Sequence, residues 1–190
     1  MATSESQARS ATISMTLRRT VETALLAWLA VIGLDFFLNA GILAPFYDWR
    51  LPGFLPVARM FAYIPLGYAA FLFWSTLLTW LMRQTQTIGF SRGTIFGARF
   101  GTLYGASEFL GARSLFAFPT RMMLCWSIVY FLVFTLAGGV IGAGFAAPKL
   151  RTVAYRVIGL TLIFLAFTII LQSLGWAPVP KLTAATTGIH

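Results

Sequence analysis

Histidine, cysteine and carboxylates are nearly missing from this chain of 190 residues, which has one histidine, one cysteine and five acidic residues. The histidine, His190, is the last residue, and the cysteine is Cys125. A single cysteine forms no internal disulfide. One terminal histidine leaves haem held by axial histidine, His-ligated zinc and histidine-based triads without a ligand or base. Five carboxylates leave almost nothing for two-carboxylate or two-metal chemistry, and no phosphate loop or metal-ligand spacing occurs. The sequence therefore points away from an enzyme and toward a protein without metal or cofactor.

Charge of both signs is also scarce. Only 10% of the residues are charged and 58% are hydrophobic, with a mean hydropathy of +0.81. Soluble chains carry about 25% charged residues, so the composition is that of a membrane protein. The net charge of +9 does not imply nucleic acid, because the basic residues are dispersed at segment ends with no run longer than Arg18-Arg19. Such spacing reads as topology marks and contacts to anionic lipids.

The apolar runs predict an all-α, polytopic helical membrane protein with about five transmembrane helices. The expected spans are Val21 to Leu43, Val57 to Met82 with a kink before Pro65, Thr94 to Phe118, Met122 to Ala146 and Val157 to Trp176. They form one transmembrane domain, 21–176, between a flexible polar tail, 1–20, and a short polar tail, 177–190. The third segment is the least apolar, and a re-entrant path for it would leave four crossings. With five, Lys and Arg divide nine to five in favour of the side holding the N-terminus. By the positive-inside rule that side is cytoplasmic, and the expected location is a bacterial inner membrane.

The most patterned feature is Gly93, Gly97, Gly101 and Gly105, at a strict spacing of four. On a helix these make a face without side chains, a glycine zipper, and Gly138 and Gly142 in the fourth span offer the matching pair. The expectation is close packing of spans three and four, with a homo-oligomer contact or a groove for a flat ligand or lipid tail as the alternative uses of that face.

Few ionisable residues remain at membrane depth. Asp35 and Asn39 lie one turn apart on the first span, while Glu108 and Arg113 lie at similar depth on the third. A lone carboxylate in a span costs at least about 2.5–3.5 kcal/mol, so Asp35 is expected to face Arg113 or Glu108 across a helix interface. Arg50, Arg59 and Arg121, with nearby aromatics, are candidate head-group contacts on the opposite side. The leading functional expectation is a small non-enzymatic accessory or scaffolding subunit in the lipid bilayer, assembled as a homo-oligomer or within a larger membrane complex. The alternative is a proton-linked permeation protein for ions or small solutes, with Asp35, Asn39 and Glu108 along its path.

Overall fold

The computed structural model describes residues 16–47, 51 and 54–177, so both end segments and Arg50 lie outside the described residues. Every regular element among the described residues is helical. The first helix, α1, spans Leu17–Phe37 and widens into a π-helical turn, Leu38–Ile42, before a short 3-10 turn, Ala44–Phe46. It begins four residues before the expected Val21. The Thr16 hydroxyl accepts a bond from the Arg19 amide at 3.3 Å, and Arg18 pairs with Glu22 one turn on at 2.7 Å. These are the ordinary start signals of a helix, and they take residues 17–20 out of the expected tail.

The remaining helices are α2 (Val57–Gln84), α3 (Phe90–Leu115), α4 (Thr120–Ala146) and α5 (Leu150–Ser173). Helix α2 runs on through Pro65 as a single element. Four segments are long and apolar enough to cross a membrane: Leu17–Ile42, Arg59–Gln84, Thr120–Ala146 and Leu150–Ser173. Helix α3 is as long as these, at 26 residues, but it is the least apolar of the five.

Chain connectivity nevertheless makes α3 traverse the bundle. Its start lies at the C-terminal end of α4, where the Gly89 amide donates to the Gly142 carbonyl at 2.9 Å. Its end connects to the start of α4 through only residues 116–119, so α3 must run the full length of its neighbour. Gly93 faces Gly138 and Gly142, whereas Gly105 faces Ser127, as an antiparallel pair requires. Within the bundle α3 is one uninterrupted helix, and it is not among the four segments apolar enough to cross a membrane. Gly33 faces Thr161 and Gly41 faces Leu171, so α1 and α5 run parallel, consistent with five traverses.

Helix α4 is central, touching each of the other four, and the deepest side chains include its Phe134, Ile141 and Phe145. Helix α3 packs along α4 and makes only a small contact with α2. In a bilayer the hydrophobic effect does not drive helices together, so this arrangement rests on close packing and on hydrogen bonds between helices. Several of those bonds close helix ends. The Arg19 guanidinium donates to the carbonyls of Gly144, at 2.8 Å, and Ala147. At the other end of the bundle, Gln172 donates to the Ala40 carbonyl at 3.1 Å and the Trp176 indole donates to that of Ile42 at 3.2 Å. Carbonyls at helix ends have no partner within their own helix, and here neighbouring helices supply the donors.

Candidate functional site

Asp35 and Asn39 stand where α1 changes into its π-helical turn, a wide turn often found at functional sites. The Asn39 side-chain amide donates to the Asp35 carboxylate at 2.8 Å. Pro45 starts a turn that carries the chain back over the end of α1, and the Tyr47 hydroxyl then donates to the Asn39 carbonyl oxygen at 2.6 Å. The result is a directional chain, phenol to amide to carboxylate. Tyr47 is only 7% exposed. The sequence marks it as one of several interfacial aromatics, and only the Pro45 turn eight residues after Phe37 hints that it folds back.

The expected partner of Asp35 is not found. Among the described residues the one ion pair is Arg18 with Glu22, and Arg113 is exposed without a carboxylate beside it. Depth along the sequence matches Asp35 with Arg113, but α4 stands between their helices, and Arg113 is exposed. Glu108 lies one turn along α3 from Tyr104. Tyr104 and Tyr130 meet edge to face, with ring centroids 4.8 Å apart. The neighbours shown for Asp35 are thus the Asn39 amide and, through it, the Tyr47 hydroxyl, rather than a cation.

Burial pushes the Tyr47 phenol above its ordinary value of 10.0, and the charges of Cys125, Asp35 and Tyr130 act in the same direction. A raised value in the folded state means that this stabilisation is complete below about pH 10 and is lost as the pH rises further. Tyr47→Phe should cost about 1 kcal/mol near neutrality, the usual worth of a hydrogen bond. The same variant should lose less stability between neutral and strongly alkaline pH than the wild type. Melting curves in mild detergent across that range would check this, and parallel pH profiles for the two proteins would refute it.

The four glycines spaced by four, Gly93, Gly97, Gly101 and Gly105, are buried, whereas the fifth glycine of α3, Gly111, is exposed. A Cβ at Gly93 would run into the carbonyl oxygen of Gly138, and one at Gly97 into that of Phe134. At Gly101 it would lie 3.0 Å from the Phe131 Cα, and at Gly105 2.8 Å from the Ser127 carbonyl oxygen. From the other side, a Cβ at Gly138 would lie 2.8 Å from the Gly97 Cα, and one at Gly142 would meet the Gly89 carbonyl. Gly89 can make this approach because its φ of +100° is open to glycine. The Ser127 hydroxyl adds a bond to the Gly105 carbonyl at 3.0 Å. This face is filled within one chain.

Of the candidate head-group contacts, Arg59 and Arg121 are exposed at the starts of α2 and α4, the same end of the bundle, and Arg50 lies outside the described residues. Phe54, Phe118 and Trp126 pack together at that end, with Phe54 and Phe118 stacked at 5.0 Å. Among the described residues no group of histidine, cysteine and carboxylate side chains is placed to hold a metal ion. Comparison of the chain with protein families, curated proteins and solved structures gives no match.

Proposed function

We propose that this multi-pass membrane protein is a small accessory or scaffolding subunit that works by close helix packing and not by catalysis. The observation that carries the reading is the position of α3. A helix at the edge of a membrane bundle meets lipid, so it should be the most apolar of the set. Here the edge helix is the least apolar one, and its exposed residues include Arg92, Arg99 and Ser107. A neighbouring protein segment would cover groups that lipid tails cannot satisfy. The glycine zipper then has an internal task, fastening α3 to α4 so that the opposite side of α3 is held outward. The basic residues suit anionic lipids at the head-group level, with Arg59 and Arg121 at one end. Their distribution favours a cytoplasmic N-terminus in a bacterial inner membrane.

Mild detergent extraction from the host membrane, followed by native mass measurement, should give a species larger than one chain. A strictly monomeric protein after extraction in several mild detergents would overturn the proposal.

A further inference from the structure

The exposed surface of α3 carries a second regular pattern. Arg92, Arg99, Ala106 and Arg113 recur every seven residues, and all four are exposed. Arg99 precedes Gly101 by two residues, about 200° around the helix, so Arg99 faces away from α4. Leu103 and Leu110 lie beside the stripe and are 74% and 68% exposed.

The outer two arginines mark levels. Arg92 and Arg113 are separated by about 31 Å along the axis, at about 1.5 Å per residue, close to the thickness of a bilayer core of about 30 Å. Both can therefore reach head groups at once, one on each side. Arg99 cannot share that position. It stands about 10 Å inward from Arg92, one third of the way across, with no carboxylate in ion-pair distance among the described residues. Snorkelling would carry its head toward Arg92, a like charge on the same face.

We infer that this face of α3 docks a transmembrane helix of a different protein, one that carries an aspartate or glutamate at the depth of Arg99. The inference rests on the accessory-subunit reading and names the chemistry of its partner. A second copy of this chain does not fit. Two copies inserted in the same orientation bring Arg99 to the same depth as its own equivalent, where like charges repel. Glu108 is nine residues farther along α3, about 13 Å away in depth, and Asp35 lies toward that same end. Neither acid can meet Arg99 of a neighbour without sliding one protein out of the membrane. An unlike partner with a carboxylate at the right level satisfies the charge, and the leucines beside the stripe supply apolar contact.

The test places a photo-crosslinking amino acid at Leu103 of the full chain in its host membrane, with mass spectrometry of the product. The expected product is one other polypeptide, joined within a span bearing Asp or Glu about one third of the way from the inner face. Arg99→Glu should lower the yield by about tenfold or more, and exchanging the partner's carboxylate for arginine should restore it. Arg99→Leu, which a lipid-facing helix tolerates, should lower the yield similarly without reducing the amount of protein in the membrane. Lipid adducts alone would overturn both the pairing and the accessory reading. A crosslink to a second copy, or to a foreign span whose yield ignores Arg99→Glu, would overturn the pairing alone.

Discussion

Replacing Gly97 by leucine should separate α3 from α4 and cost about 3 kcal/mol, the upper end of what added carbons cost in a well-packed interior. The cost is large because the obstacles are backbone atoms. A Cβ at Gly97 would meet the Phe134 carbonyl, and the Gly138 Cα and amide nitrogen lie 3.0 and 3.1 Å from it. None of these can rotate aside, so the helices must part along their length. Separation would also strip the Gly89 to Gly142 and Ser127 to Gly105 bonds. Gly138→Leu should behave alike, since its Cβ would strike the opposite strip of α3 backbone. Gly159 of α5 is the control, with nothing within 4 Å of an added Cβ. Gly159→Leu should be neutral or gain up to about 1 kcal/mol, because leucine favours helix over glycine. Unfolding by titration with a denaturing detergent from a mild one would compare the three. Equal midpoints for Gly97→Leu and Gly159→Leu would show that the glycine face bears no packing role.

Much of this interface is readable in the residue string, because spacing along a helix converts directly into a face. Four-residue spacing puts Gly93 to Gly105 on one side, and two glycines at the same spacing in the next span form the complement. What spacing cannot convey is which helices are neighbours around the bundle. Asp35 and Arg113 agree in depth, yet depth is one coordinate of two, and α4 occupies the place between their helices. Helix ends are misjudged for a related reason. Hydropathy begins α5 at Val157, but the helix starts at Leu150, because Arg151 and Arg156 interrupt the apolar run without interrupting the backbone. The seven-residue spacing of Arg92, Arg99 and Arg113 is present in the string. It passes unnoticed when each arginine is weighed as a topology mark, and it acquires meaning only once the glycines fix which side of α3 faces outward.

Arg19→Leu should cost about 2–3 kcal/mol, although Arg19 sits in the pair most readily read as topology marks. Its guanidinium holds the carbonyls of Gly144 and Ala147 at the end of α4, where the helix has no donors of its own. Hydrogen bonds from a charged donor are worth about 1.5–3 kcal/mol, and a cation at a helix C-terminus adds a favourable dipole interaction. Leucine would leave both carbonyls unpaired beside Thr23, which is fully buried and contacts the Gly144 position. Arg18 is the natural comparison, since its side chain is 87% exposed and pairs only with Glu22. Arg18→Leu removes the same positive charge from the same end and should leave stability nearly unchanged. Arg19→Lys separates capping from topology. It preserves the count of positive residues but not the forked donor group, so it should insert correctly and recover only part of the lost stability. If Arg19→Lys matched the wild type in melting, the requirement would be for charge alone. If Arg18→Leu and Arg19→Leu fell equally, neither arginine would act as a cap, and the attachment of α1 to the end of α4 would have to rest on the packing of Thr23 against Gly144.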